Sequence, residues 1–317
     1  MDGAKADMSQ QAMGAEASVL GRGFGHGKLI LIGEHAVVYD HPALAAGIAA
    51  GISAEAVAGD GAVSIARWSV TAHANDGSPV GRGLAAVLKR LAISDLDFRL
   101  DAALPARAGL GSSAAMAVAI ARAAAAARGR RADDVAAAIN DAEAVFHGTP
   151  SGIDAAAASL GGVGRFRRGE GWQPIPVLQA MPICVGLTGR PRDTSFQVAS
   201  VARLRERTPA VGKVLALIGE LVPAGEHALA VGDIDGLGRL FDVAHGLLAA
   251  IRVSSLEIES MVHGARAAGA IGAKLTGAGG GGAVIALAPG HEKDVLARWR
   301  RDGFDGFVTE IGQAARP

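Results

Sequence analysis

The chain has 317 residues, a length that predicts about two domains and a core that needs no disulfides. Its 31 basic residues balance its 31 acidic residues, which argues against a polybasic protein that binds nucleic acid or a membrane surface. The single cysteine, Cys184, excludes an internal disulfide and any multi-cysteine metal site. We therefore predict a cytoplasmic globular protein with no nucleic-acid partner and no membrane partner.

No segment of the sequence has the pattern of a membrane span or an export signal. The longest apolar stretches, 42–54 and 277–290, are shorter than the ~20 apolar residues that cross a bilayer. The first twenty residues mix charged and polar side chains and lack the apolar segment of a secretory signal. Residues 1–21 are predicted to form a flexible extension.

The first half of the chain alternates predicted strands with predicted helices. Strands are predicted over 42–57, 62–72 and 96–104, and the stretch 27–39 predicts two buried strands around a polar kink at Glu34 and His35. Helices are predicted over 83–91, 112–128 and 133–146, the second with Ser112 or Ser113 as its cap. With a short strand over 182–187, these elements form a predicted N-terminal unit, 22–187.

The second half of the chain is dominated by long predicted helices. They cover 194–206, 209–221, 225–231, 235–248 and 254–268. Strands over 272–276 and 283–288, a helix over 292–301 and a strand over 306–311 follow. A composition shift near residues 186–193 marks the boundary of a C-terminal unit, 188–317. The fold class predicted from this order is α+β.

One glycine-rich segment lies where a predicted strand ends and a predicted helix begins. It is Pro105–Ala115, with the sequence PARAGLGSSAA. The free N–H groups in the first turn of a helix, and the positive end of its dipole, attract phosphate. The segment is not a Walker A loop, because no lysine follows its glycines. An ordinary capped helix after a glycine turn is the alternative.

Two further segments combine glycines with charged residues. Lys274–Gly282 (KLTGAGGGG) joins two predicted strands with more glycine than a hairpin requires, which indicates that a ligand or another segment lies against its backbone. The alternative is a flexible linker. Gly27–Tyr39 (GKLILIGEHAVVY) places Lys28, Glu34 and His35 beside a buried strand, where solvated strand ends are the alternative.

Two carboxylates lie between these segments. Glu143 is on the predicted helix 133–146, and Asp154 ends the sequence HGTPSGID, residues 147–154. Because apolar residues surround Asp154, its charge needs a cationic partner such as lysine or a metal. The alternatives are a helix N-cap for Asp154 and a place on a polar helix face for Glu143.

Taken in chain order, the four segments resemble the GHMP small-molecule kinases. GEHAVVY and HGTPSGID are similar to those members of the family that phosphorylate mevalonate, and the resemblance runs from about Phe24 to the C-terminus. It implies a two-domain GHMP kinase fold, with an N-terminal domain like ribosomal-protein α/β domains and a ferredoxin-like C-terminal domain. It also implies transfer of the γ-phosphoryl group of ATP to the 5-hydroxyl of mevalonate, with Mg²⁺. One departure is Gly25-His26-Gly27 where the family usually has Ala-Pro-Gly.

The resemblance also assigns roles to residues that match the family motifs. Asp154 would accept the hydroxyl proton, and Lys28 would keep Asp154 ionised. Ser113 and Glu143 would hold Mg²⁺. The ATP phosphates would contact Gly109, Leu110, Gly111, Ser112 and Ser113. The substrate would contact Glu34, His35, Thr194, Gly277 and Ala278.

Other functions remain open at this point. Another GHMP kinase could act on phosphomevalonate, a sugar or homoserine, since fold does not settle substrate. A diphosphomevalonate decarboxylase is disfavoured because its first motif lacks the pattern of a lysine followed by GEH. A non-enzymatic sensor is disfavoured by the intact set of Lys28, Ser113, Glu143 and Asp154. A homodimer is expected from the family alone.

Overall fold

The computed structural model describes residues 18–106, 108–147, 151–190 and 193–312. Most of the predicted N-terminal extension, residues 1–17, lies outside the described residues. So does the tripeptide 148–150 within the HGTPSGID motif.

The N-terminal part of the structure is built on a seven-stranded sheet. Its strands are β1 (Gly21–Ile32), β2 (Ala43–Ala58), β3 (Ala62–Ile65), β4 (Val70–His73), β5 (Leu96–Ala102), β6 (Val163–Arg167) and β7 (Gly171–Pro174). The strand order is β4-β3-β5-β2-β6-β7, and β1 also pairs with β2. The helices are α1 (Pro79–Leu91), α2 (Ser112–Arg128), α3 (Ala132–His147) and α4 (Ile153–Leu160). Only the β3–β5 pair is parallel among the described pairs.

The alanine-rich helix α2 lies directly against strand β1. Gly21, Gly23 and Gly25 alternate along β1 and therefore share one face of the strand. A Cβ atom on Gly25 would fall 2.1 Å from the carbonyl oxygen of Ala115, and one on Gly23 would fall 2.2 Å from that of Ala119. The glycines of β1 and the alanines of α2 together allow this close packing, which fixes the start of α2 beside Lys28.

The C-terminal part contains a four-stranded antiparallel sheet. Its strands are β8 (Met181–Leu187), β9 (Gly272–Thr276), β10 (Ala283–Leu287) and β11 (Asp305–Ile311), in the order β11-β8-β10-β9. Helix α10 (Glu292–Arg301) joins β10 to β11. The predicted boundary at residue 188 is too late, because β8 hydrogen-bonds to β10 and β11 and belongs to this sheet. A ferredoxin-like order of elements, β-α-β-β-α-β, results.

Five helices connect β8 to β9. They are α5 (Thr194–Arg207), α6 (Ala210–Glu220), α7 (Val222–Val231), α8 (Ile234–Ala250) and α9 (Leu256–Ala267). By length and composition alone, the stretch 210–231 could cross a membrane, but a helix on a protein core passes the same test. Leu215 of α6 and Leu229 of α7 are buried inside the protein.

The two sheets share one hydrophobic core. Leu29 and Leu44 from the first sheet and Ile183 and Ile285 from the second belong to the same buried cluster. The end of β1 also lies against strand β9 of the other sheet.

The structure corrects two predicted elements near the site. Ala36–Tyr39 is a short 3-10 helix rather than a strand, since the backbone turns at Gly33 and His35, which have φ values of 110° and 59°. Helix α2 is not capped by Ser112 or Ser113. Its N-cap is Gly111 with φ 74°, and both serines lie in its first turn.

Three elements were not predicted as such. Strands β6 and β7 form a hairpin, and the residues after HGTPSG form the short helix α4. Gly152 is the N-cap of α4, and Asp154 is the second residue of the helix rather than its cap. Asp154 therefore lies in the first turn of α4, near the positive end of the helix dipole.

Candidate active site

An ion pair between Lys28 and Asp154 lies at the centre of the candidate site. The Nζ atom of Lys28 is 2.8 Å from Oδ1 of Asp154. The Lys28 side chain is 3% exposed and that of Asp154 is 26% exposed. A sheltered ammonium and a partly open carboxylate suit a site in which the carboxylate must meet a second molecule.

The first glycine-rich segment packs against this ion pair. The backbone N–H of Lys28 donates to the carbonyl oxygen of Leu110 at 2.8 Å. A Cβ atom on Gly111 would lie 3.2 Å from Cβ of Lys28, so a side chain there would press on the lysine. The first turn of α2, with Ser112 and Ser113, begins at this point. An anion held by that helix terminus would therefore lie close to Lys28 and Asp154.

Glu143 on α3 is buried and lacks a hydrogen bond at one oxygen. Its side chain is 2% exposed, and Oε1 has no partner among the described residues. Burial, together with the nearby Asp154 carboxylate, raises the pKa of Glu143 to about 8, although Lys28 acts to lower it. A buried carboxylate in this condition gains from a cation.

The described residues include no cluster of side chains that could bind a divalent cation by itself. No group of three or more His, Cys, Asp or Glu side chains with metal-site geometry is found there. Magnesium is commonly held by one or two protein oxygens together with substrate phosphates and water. Glu143 and the Ser113 hydroxyl at the start of α2 match that donor set.

Strand β9 lies along the end of β1 and contacts it through side chains. Thr276 Oγ1 accepts from the Ile30 N–H at 2.9 Å and donates to the Ile30 carbonyl at 3.0 Å. Nε2 of His35 donates to the Ala278 carbonyl at 2.9 Å. Lys274 forms an ion pair with Glu34, and both side chains are fully buried. These contacts hold Glu34 and His35 in place.

The glycine-rich loop after β9 is covered by the C-terminal helices. The N–H of Gly280 donates to the Val253 carbonyl at 2.7 Å, and Gln197 of α5 fills the space beside Gly280. Gly277 and Ala278, predicted to contact substrate, are buried at the start of this loop. The prediction that another segment lies against the loop is confirmed at Gly280.

Thr194 lies apart from these contacts. It is the exposed first residue of α5, and it shares no hydrogen bond or ion pair with the other predicted site residues in the part of the chain that is described. An open cavity of about 370 Å³ lies farther along α5, between Gln197, Arg207 and Val253. Lys28, Glu143 and Asp154 do not line this cavity.

Two residues of β9 to which the sequence assigned no role make contacts near the site: Lys274 pairs with Glu34, and Thr276 bonds to the Ile30 backbone of β1. They alternate along β9 and therefore point to the same side of the strand. A lysine within an otherwise apolar strand was the available signal, because a buried lysine requires a partner.

Comparisons with known proteins identify the family to which this chain belongs. Models of the GHMP kinases N terminal domain and the GHMP kinases C terminal domain match residues 77–162 and 226–305. The mevalonate kinase of Pyrococcus horikoshii is 34% identical over 316 residues, covering 90% of this chain and 94% of its own. That of Aeropyrum pernix is 37% identical over 282 residues, covering 82% and 86%.

A solved structure gives the same result at the level of the fold. The crystal structure of L. major mevalonate kinase in complex with R-mevalonate has a TM-score of 0.82 at 28% identity, covering 94% of this chain and 100% of that one. The chain belongs to the GHMP kinase family and is an ATP-dependent kinase. Within that family it groups with the mevalonate kinases, which are similar to it over most of its length.

Proposed function

We propose that this protein transfers the γ-phosphoryl group of ATP to the 5-hydroxyl of mevalonate, giving 5-phosphomevalonate. The observation that carries the proposal is the sheltered Lys28–Asp154 pair, with its nitrogen and oxygen 2.8 Å apart, beside the N-terminus of α2. The choice of mevalonate as the substrate rests on the similar proteins, which are mevalonate kinases.

Asp154 is the general base in this proposal. Its carboxylate accepts the proton of the 5-hydroxyl as that oxygen bonds to the γ-phosphorus, and the bond to the bridging oxygen of ADP breaks. Lys28 keeps Asp154 charged and stabilises negative charge at the reacting oxygen. Phosphoryl transfer depends mainly on positioning and on charge stabilisation, which these two groups supply.

The first turn of α2 binds the triphosphate in this proposal. Gly109 and Gly111 have φ values of 82° and 74°, so the loop can bring its backbone close to phosphate oxygens. Ser113 and Glu143 would hold Mg²⁺. The buried Oε1 of Glu143, which accepts no hydrogen bond from the residues that the structure describes, fits that role. When bound, the ion neutralises charge on the phosphates.

Glu34 and His35 position the alcohol in this proposal. Both are buried, and contacts with β9 and its loop limit their movement. Thr194, Gly277 and Ala278 are assigned to the substrate side on the family resemblance.

A coupled ADP-release assay with Mg-ATP tests the function. Mevalonate, phosphomevalonate, galactose and homoserine are compared with the wild-type protein and with Asp154→Asn. We expect turnover on mevalonate, reduced by about 10²–10⁴ in the variant because a positioned base is lost. Near-normal turnover in folded Asp154→Asn would remove Asp154 from the mechanism. Turnover on another substrate alone would contradict the mevalonate assignment.

A further inference from the structure

We propose that Lys274 is a positioning residue for Glu34, and that their ion pair leaves the second carboxylate oxygen of Glu34 as an acceptor for the substrate. This inference rests on the proposed function, which places Glu34 against mevalonate. The two residues are 240 positions apart: Glu34 lies in the turn after β1 of the first sheet, and Lys274 lies on β9 of the second.

The contacts of the Lys274 ammonium group show that its main role is to pair with Glu34. Its Nζ donates to Oε1 of Glu34 and, at 2.6 Å, to the Leu275 carbonyl. The ammonium also lies 5.9 Å from the centre of the Phe241 ring. A fully buried lysine is costly unless it is paired, and Glu34 is the carboxylate that pairs with it.

The contacts of Glu34 leave one oxygen unused. Oε2 is buried and has no hydrogen-bond partner among the described residues. A buried acceptor without a donor lowers the stability of the folded protein. A hydroxyl from the substrate supplies the missing donor, and Lys274, by holding Oε1, fixes the direction in which Oε2 points.

Charge at Glu34 also depends on Lys274. Burial raises the pKa of Glu34, whereas Lys274 and the more distant Lys28 act to lower it. His35 is the next residue in the chain, and His245 of α8 lies beyond Lys274. Loss of the Lys274 charge leaves Lys28 as the cation acting on Glu34, so the carboxyl becomes neutral over a wider pH range.

Strand β9 offers a matched control. Thr276 is on the same face as Lys274 and also contacts β1, but it carries no charge. Thr276→Val removes contacts between the sheets and leaves the Glu34 pair intact. Any effect that comes only from loosening the two sheets should appear in both variants.

The first readout is thermal unfolding without substrate, from pH 6 to 9.5. Lys274→Met should lower Tm by about 5–10 °C, because it leaves a buried charge without a partner. This decrease in Tm should become larger as pH rises, because Glu34 is then forced to ionise without its partner. In the double variant Lys274→Met/Glu34→Gln, the decrease in Tm should not depend on pH. In Lys274→Arg and in Thr276→Val, any change in Tm should be the same at every pH. A pH-independent loss in Lys274→Met would overturn the proposal.

The second readout is KM for mevalonate in the same variants. Lys274→Met should raise KM about 10- to 100-fold at pH 7, with partial recovery at pH 9, because a charge-assisted hydrogen bond to substrate is lost and then regained. Glu34→Gln should raise KM without recovery. If the wild type is active and Lys274→Met has an unchanged KM, the positioning role is wrong. If the wild type does not use mevalonate, the proposed function fails, while the pH-dependent unfolding still decides whether Lys274 controls Glu34.

Discussion

The two lysine–carboxylate pairs of the site differ in their access to solvent. In the Lys28–Asp154 pair the carboxylate side chain is 26% exposed, whereas both members of the Lys274–Glu34 pair are 0% exposed. A partly exposed carboxylate can exchange a proton with a bound molecule. A fully buried ion pair mainly fixes the orientation of its own carboxylate. In the proposed mechanism, the same residue types therefore take part in the reaction in one place and position the substrate in the other, according to their burial.

This difference predicts that removing Lys28 mainly lowers kcat, whereas removing Lys274 mainly lowers Tm. Lys28→Met should lower kcat by about 10²–10³, as expected when a group that stabilises transition-state charge is removed. Its Tm should fall less than that of Lys274→Met, because water can reach Asp154 and replace the lost partner. Steady-state kinetics and thermal unfolding of the two variants make the comparison.

Combining Lys28→Met with Asp154→Asn sharpens this test. Because the two residues act as one unit, the double variant should lose little more kcat than the worse single variant. If the decrease in kcat of the double variant equals the product of the two single decreases, the lysine and the carboxylate act separately.

Glu143 provides a pH-dependent prediction within the same region. A carboxyl whose folded-state pKa is about 8, against an unfolded value of 4.5, contributes stability that is complete below pH 4.5 and is lost as pH rises toward 8. In the presence of a chelator, this group should cost the wild type up to about 4 kcal/mol of unfolding free energy between pH 4.5 and 9. Denaturant unfolding at several pH values measures the loss.

Glu143→Gln is the matched variant for that measurement. The amide cannot ionise, so its unfolding free energy should decline less over the same pH range. An equal decline in both proteins would show that Glu143 is not the titrating group.

The smallest expected effect concerns Thr194. It is exposed and shares no described hydrogen bond with the reacting pair, so Thr194→Ala should leave Tm unchanged. If it donates one hydrogen bond to substrate, KM for mevalonate should rise by about 2- to 10-fold. An unchanged KM would remove Thr194 from the substrate side.

Much of the fold was predictable because local signals agree with the tertiary structure. Helix α2 was predicted over its observed range, since Gly111 and Gly129 bound a run of alanines. The stretch 36–39 was mispredicted because its Val-Val pair favours a strand. In the structure the chain turns at Glu34 and His35, which contact β9 and the loop after it. The boundary at residue 188 failed because strand pairing, rather than composition, decides where β8 belongs.

The candidate site was predictable only where its residues are close in sequence to recognisable motifs. Lys28, Glu143 and Asp154 were identified in this way, and the structure brings them together. The role of Lys274 could not be predicted, because its partner Glu34 lies 240 residues earlier in the chain. The burial of Glu143, which raises its pKa, depends on packing that its helix sequence does not show.

The most direct test of the proposed reaction is ³¹P NMR of the products formed from Mg-ATP and mevalonate. Wild-type protein should convert ATP to equal amounts of ADP and a new phosphomonoester, and Asp154→Asn should form that ester at a rate lower by about 10²–10⁴. Release of inorganic phosphate without the ester, or equal rates of ester formation in both proteins, would contradict the account.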